Sequence, residues 1–396
     1  MNNPSTLPEG WHRFSFGEIA RNVSEYETKP LEKGLDRCVG LDHIEPGSLH
    51  IKRWNMMSNE SSFTRKFKKG QVLFGKRRAY QRKVALAEFD GICSSDILVF
   101  EANTEKVVPE LVPFIVQDDR FFDFAIGTSS GSLSPRTKWK FLSTYKVPLP
   151  SKEEQQKISS FLWAAEDCIV KNERFIQEAE RAKRVLMRKL FNKGIGYKKF
   201  RETEKTEIIP SDWHKVKLSE VISLKKGRKP NNLSETPTND TVPYLTADYF
   251  RTGIPSQHVN ISKDNSAISV TTRDIVFIWD GSNAGDVFYG LKGVLASTMA
   301  IIRADQKNAT NEWIYYILKI HFSTFNTQTT GSAIPHVNKN LFLNLQIPLP
   351  PLTEQRQIVA ILTQFDKIIT TARTNLDATK ALKMKLINQF FQMVDR

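Results

Sequence analysis

The sequence predicts an α+β fold: two tandem mixed α/β domains separated by two long helices that form an antiparallel coiled coil. Three observations carry this expectation. The chain repeats itself once, each copy opens with strand-like runs mixed with helical spacings, and each copy closes on a sustained heptad. A length of 396 residues exceeds one ordinary core and fits two or three domains.

The repeat keeps one register. Leu7-Pro8-Glu9-Gly10-Trp11-His12 returns as Ile209-Pro210-Ser211-Asp212-Trp213-His214, and Gly70-Gln71-Val72-Leu73-Phe74 as Arg273-Asp274-Ile275-Val276-Phe277. Gly91-Ile92-Cys93-Ser94-Ser95 matches Gly293-Val294-Leu295-Ala296-Ser297, and Gly131-Ser132-Leu133-Ser134-Pro135 matches Gly331-Ser332-Ala333-Ile334-Pro335. Val147-Pro148-Leu149-Pro150 matches Ile347-Pro348-Leu349-Pro350, and Glu154-Gln155 matches Glu354-Gln355. The offset stays between 200 and 203 residues throughout, which chance similarity does not sustain. Between these anchors the copies diverge: residues 40–69 and 231–270 share almost nothing. A shared scaffold with divergent loops suits two readers of different ligands, although drift in surface loops gives the same pattern.

Within the first copy, Gln71 to Phe74 and Ile97 to Phe100 are short apolar runs bounded by Gly and Asp, as strands are; Ile275 to Trp279 and Met299 to Ile302 repeat them. Pro113 to Ala125 and Glu312 to Phe322 carry helical spacing, and their aromatics read as core. After each Pro-Leu-Pro the period becomes a heptad. Ile158, Leu162, Ala165, Ile169, Asn172, Ile176, Ala179, Lys183, Leu186 and Leu190 form one a/d seam. Ile358, Leu362, Phe365, Ile369, Ala372, Leu376, Thr379, Lys383, Leu386 and Phe390 form the other in the same phase. Pro150 and Pro350 precede the helix starts, Glu153, Glu154 and Glu354 complement the dipole in the first turns, and Gly194 and Gly196 end the first helix. A helix of ~40 residues is ~60 Å long and cannot bury its stripe on a small domain. Mutual antiparallel packing solves this; a separate partner for each seam is the alternative. The expected order is therefore a domain at 1–150, a helix at 151–196, a linker and second domain at 197–350, and a second helix at 351–396.

Charge narrows the function. With 57 Lys+Arg against 43 Asp+Glu the net charge is +14, an excess that points to a polyanion, most simply nucleic acid. Cys38, Cys93 and Cys168 lack any CxxC spacing, which argues against a zinc site or disulfide framework. There is no apolar leader and no run near 18 apolar residues, so a cytoplasmic protein without a membrane partner is expected.

The sharpest binding signal is a stretch without acids: Arg65, Lys66, Lys68, Lys69, Lys76, Arg77, Arg78, Arg82 and Lys83, interleaved with Tyr80 and Gln81. Cations neutralise phosphates, while Arg and Gln form bidentate pairs with guanine and adenine edges. The second copy offers Lys225, Lys226, Arg228 and Lys229, with Ser282 and Asn283 as base readers in a loop whose two Asp oppose phosphate. The Gly-Ser turns form a second candidate surface, with Ser130, Arg136 and Lys138 in one copy and Ser332, His336 and Asn338 in the other. Small residues there let backbone approach phosphate; a plain turn is the other reading.

Catalytic signatures are missing. No N/D-P-P-Y/F run for amino-methyl transfer, no G-x-x-x-x-G-K-S/T phosphate loop and no P-D…D/E-x-K nuclease arrangement is present, and the seven histidines form no HxxxH or HxH pair. Binding without catalysis is the expectation.

Taken together, the Pro-Leu-Pro…Glu-Gln signatures leading into heptads, the Trp-His openings and the Gly-Ser turns resemble the specificity (S) subunit of type I restriction-modification enzymes, over the whole chain. The resemblance implies two target recognition domains, each reading half of a split double-stranded DNA target. It also implies helices that set the spacer and dock two adenine methyltransferase (M) subunits, with restriction (R) motor-nuclease subunits completing the complex. No cofactor is expected in this chain; S-adenosylmethionine, ATP and Mg²⁺ belong to the partners. A methylation-only system and a stand-alone bipartite DNA-binding regulator remain alternatives.

Overall fold

A computed structural model describes residues 7–58, 61–197, 199–202, 208–263, 266–331 and 334–392. It divides into two units, Met1–Gln177 with Thr370–Arg396, and Glu178–Ile369. The long helices Lys152–Lys193 and Leu352–Gln392 are each unbroken, and each contributes one segment to either unit.

The first unit is built on a four-stranded antiparallel sheet. Its order is Ala20–Val23, Ile97–Ala102, Val72–Gly75, Val84–Leu86. A second sheet runs Asn55–Met56, Arg37–Val39, Gly91–Cys93, Arg65–Phe67, with a parallel pair at its centre. The apolar runs noted in sequence are the two central strands of the first sheet, and nearly all their side chains are buried. The helical stretch after them divides into Val112–Gln117 and Asp119–Gly127 because the Asp118 carboxylate accepts the Arg120 N–H at 2.9 Å and caps a new helix.

Topology in the second unit is the same. Ile222–Lys226, Met299–Ala304, Ile275–Ile278 and Val287–Tyr289 form the antiparallel sheet. The other sheet gains a strand, running Leu233–Ser234, His258–Asn260, Thr241–Leu245, Gly293–Leu295, Ser269–Val270, and it keeps the central parallel pair. The extra strand lies where the copies share no sequence.

Two of the repeated motifs turn out to be partners. His12–Ser15 pairs antiparallel with Lys146–Leu149, and His214–Lys217 with Gln346–Leu349, with His12 opposite Leu149 and His214 opposite Leu349. The Trp-His and Pro-Leu-Pro segments thus close each domain in one register. The following glutamine is a buried clasp. Gln155 accepts the Val108 N–H at 2.9 Å and donates to the Pro150 and Lys106 carbonyls; Gln355 accepts the Thr310 N–H at 3.0 Å and donates to Pro350 and Asn308. Glu354 does more than complement a helix dipole. It accepts from Trp213 Nε1 at 2.9 Å, Tyr197 Oη at 2.7 Å and the Ile195 N–H at 3.0 Å. Residue 194 favours glycine, since its φ is 62° and a Cβ would lie 2.6 Å from the end of the Glu354 side chain.

Within each unit the two helical segments run antiparallel. In the first, Glu166 meets Lys383 at 2.7 Å, and Glu173 further along meets Lys380, earlier in its own helix, at 2.8 Å. In the second, Lys183 pairs with Asp366, whose other oxygen accepts Tyr316 Oη at 2.7 Å. Position 183 corresponds to 383 and 166 to 366, so both units carry an acid–lysine pair at the same positions of the repeat. Near its end the second helix departs from the expected seam: Ile387 and Phe391 are buried, whereas Leu386 and Phe390 are only half-buried. The last turns pack on the first unit's core beside Ile158 and Leu162, which rotates the buried face by one residue. Among the described residues no helix is long and apolar enough to cross a membrane, and no His/Cys/Asp/Glu group could hold a metal ion.

Candidate nucleic-acid interface

Buried strand Val72–Gly75 delivers the loop 76–83 at its C-terminal end. The loop is a single 3-10 turn, Ala79–Gln81, flanked by Arg78 and Arg82 in left-handed geometry with φ of 53° and 54°. Ala79 is buried beneath the turn, while Tyr80 stands 54% exposed at its crest.

The Gly-Ser turn comes to the same place. Ser130 and Arg136 exchange two backbone hydrogen bonds of 3.1 and 3.0 Å, closing the turn. Arg78 N–H donates to the Pro135 carbonyl at 2.7 Å, and Thr137 N–H to Lys76 at 3.1 Å. Arg77 Nη2 donates to Ser134 Oγ at 3.0 Å. Asp96 ties both segments together, accepting Arg136 Nε at 2.7 Å and pairing with Arg77 Nη1 at 3.4 Å. Burial pushes the Asp96 carboxyl up, but the Arg136 and Arg77 guanidinium groups outweigh it and hold the group below its ordinary value. Burial lowers Lys76, and nearby Arg65 and Arg136 lower it further against Asp96.

The second unit repeats the junction with other chemistry. Gly281 N–H donates to the Pro335 carbonyl at 2.9 Å and Val337 N–H to Trp279 at 2.9 Å. Thr330 and His336 exchange backbone bonds of 2.8 and 2.7 Å. Asp280 now lies on the loop itself, 2.6 Å from His336 Nδ1 and 2.8 Å from Lys226 Nζ. The Lys226 ammonium thus offsets the charge that sequence reasoning set against phosphate there, and the His336 ring occupies the other carboxylate oxygen. The other loop acid, Asp286, is half-buried, and burial raises its carboxyl against the pull of Lys319. Asn326 Nδ2 donates to the Ser282 and Ala284 carbonyls at 3.1 and 3.0 Å, leaving the Ser282 and Asn283 side chains exposed.

Other candidate residues take different places. Arg65 is buried and donates to Asn22, the Val23 carbonyl and Tyr26. Lys68 and Lys69 are exposed at the opposite end of strand Val72–Gly75 from the loop, and Lys66 lies on the strand Arg65–Phe67. Arg82 pairs with Asp119 and lies 4.8 Å over the Phe122 ring, and Lys83 Nζ donates to the Leu41 carbonyl at 2.5 Å. Asn338 caps the helix Lys339–Leu343 by accepting the Leu341 N–H. Lys138, Lys225, Arg228 and Lys229 are exposed, Gln81 is half-buried, and Ser332 lies outside the described residues. Sequence reasoning missed Asp96, Ser134 and Asn326, which organise the loops from other segments. Asp96 was legible only as an acid bounding a strand.

The geometry describes a cationic, hydroxyl-lined and amide-lined surface built twice on one scaffold. The sequence profile of the type I restriction modification DNA specificity domain matches residues 8–181 and again 210–378. The chain is 39% identical over 183 residues to the specificity subunit of type I restriction enzyme MjaVIII from Methanocaldococcus jannaschii. That match covers 46% of this chain and 43% of the relative, less than half its length. In fold it is similar to the S subunit of a type I restriction-modification system from M. genitalium, with TM-score 0.62 and 14% identity over 99% of this chain and 97% of that one. A chain from a structure concerning complex assembly and conformational transition of the type I R-M system gives TM-score 0.58 and 21% identity over 99% of both.

Proposed function

The chain belongs to the type I restriction modification DNA specificity family, and from that premise we propose that it binds a split double-stranded DNA target, each α/β domain reading one half. The observation that carries this reading is the doubled junction of loop and Gly-Ser turn, alike in backbone and different in side chains. Like backbones present side chains at like positions, and unlike side chains select unlike bases.

This chain supplies recognition without catalysis. The first unit offers Lys76, Tyr80, Ser130 and Lys138 for phosphate and base contact; the second offers Lys225, Arg228, Ser282 and Asn283. Two methyltransferase subunits docked on the long helices methylate adenine with S-adenosylmethionine, and restriction subunits bring ATP and Mg²⁺. Those groups bind the partners, not this chain.

The test uses the full chain assembled with its cognate methyltransferase subunit, measuring preference for each base of the target. Tyr80→Ala is expected to lower discrimination roughly tenfold in one half only, and Asn283→Ala in the other half only. If either substitution changed both halves, or neither changed any, one-domain-one-half reading would be wrong.

A further inference from the structure

Two loop positions adopt left-handed backbone geometry in both copies. Arg78 (φ 53°) corresponds to Gly281 (φ 109°), and Arg82 (φ 54°) to Gly285 (φ 102°). Hydrogen bonds fix this correspondence. The N–H of residue 78 and that of 281 donate to the equivalent carbonyls of Pro135 and Pro335, and those of Gln81 and Ala284 donate back to residues 78 and 281. Glycine enters this region freely, while a residue with a Cβ is disfavoured there. An arginine in a glycine's place therefore needs a reason of its own.

For Arg82 the reason is internal: its guanidinium pairs with Asp119 and covers the Phe122 ring. Arg78 has no comparable partner. Among the described residues its guanidinium makes one hydrogen bond, to Ser134 Oγ at 3.5 Å, and its Nε is buried without any. Neighbouring Arg77 leaves its Nε unpaired in the same way, but its two terminal nitrogens are held by Asp96 and Ser134. Strained side chains without an internal role gather where function requires them.

We propose that Arg78 is a specificity-determining side chain of the first unit, presenting its guanidinium fork to the N7 and O6 acceptors of a guanine in the major groove of one half-site. Arginine matches that pair of acceptors bidentately, which a lysine point charge does not. The second unit, with Gly281, places no cation at this position. It reads instead with Asn283, whose amide complements adenine. The assignment rests on the proposed reading of the chain as a DNA specificity subunit.

The experiment compares wild type, Arg78→Gly and Arg78→Lys, each as full chain with the cognate methyltransferase subunit, by mapping base preference at every target position and by thermal unfolding. Arg78→Gly installs the residue its counterpart uses, so the melting temperature should stay level or rise. Preference for guanine at one position should fall roughly tenfold to a hundredfold, with the other half-site unchanged. Arg78→Lys should lose the same preference while retaining the salt dependence of binding. Unchanged preference in both variants overturns the assignment and leaves the specificity-subunit reading intact, as does a marked fall in the melting temperature of Arg78→Gly. A wild-type complex that selects no split target overturns both.

Discussion

Asp96 sets the behaviour of the first candidate surface because it fastens the loop to the turn through Arg77 and Arg136. Its folded pKa is depressed: burial raises it, and the two guanidinium groups lower it more. A depressed carboxyl stabilises the fold fully above its ordinary value, and that contribution disappears as pH falls through the lowered one. Asp96→Asn is therefore expected to cost about 1 kcal/mol near neutral pH, discounted for the half-exposed arginines. The difference from wild type should vanish in acid, below the ordinary carboxylate range, which thermal unfolding at stepped pH would show. At the same scale, Lys68 and Lys69 lie apart from the loop. Replacing both with Ala should leave the salt slope of DNA binding nearly unchanged, whereas replacing both Lys76 and Lys138 with Ala should flatten it by about two phosphate contacts. A salt titration of binding separates the two. Sequence grouped Lys68, Lys69 and Lys76 by proximity along the chain; only folding reveals that one strand carries them to opposite ends.

At the scale of elements, the motifs most visible in sequence are closures. Trp-His pairs with Pro-Leu-Pro, and the glutamine that follows fastens each long helix to its domain. Gln155→Ala leaves the buried Val108 N–H without its acceptor and should cost about 1–3 kcal/mol in denaturant unfolding, with Gln355→Ala similar through Thr310. The heptads were legible by period, yet the lysines within them were not legible as buried. Lys383 is nearly inaccessible and pairs with an equally buried Glu166, which also accepts the Leu49 N–H. Lys383→Met should cost about 3–5 kcal/mol by stranding a buried carboxylate. Glu166→Gln in the same chain should restore much of that loss, because the amide still accepts from Leu49. Lys183→Met should cost ~1 kcal/mol or less, since Asp366 is partly exposed. Equal losses at both positions would contradict this ranking.

For the whole molecule, the duplication was the feature sequence revealed best. A repeat in constant register implies one architecture twice, and each unit has the same two-sheet core. Residues 231–270 show the limit of that legibility. They share no pattern with residues 40–69, yet they frame the same central parallel pair and add a strand. Interior contacts tolerate such exchange when volume and direction are kept. The interface was legible as two separate basic and Gly-Ser segments, and their union depended on Asp96, Ser134 and Asn326, residues with no distinguishing local signal.

The central claim is that this chain selects a split DNA sequence, one domain to each half. The most direct test is a map of adenine methylation in DNA exposed to the full chain and its cognate methyltransferase subunit. The account expects methylation at a single motif of two defined halves at fixed spacing, in which Tyr80→Ala relaxes one half and Asn283→Ala the other. Methylation at an unsplit motif, or no motif although the complex forms and binds DNA, would contradict it.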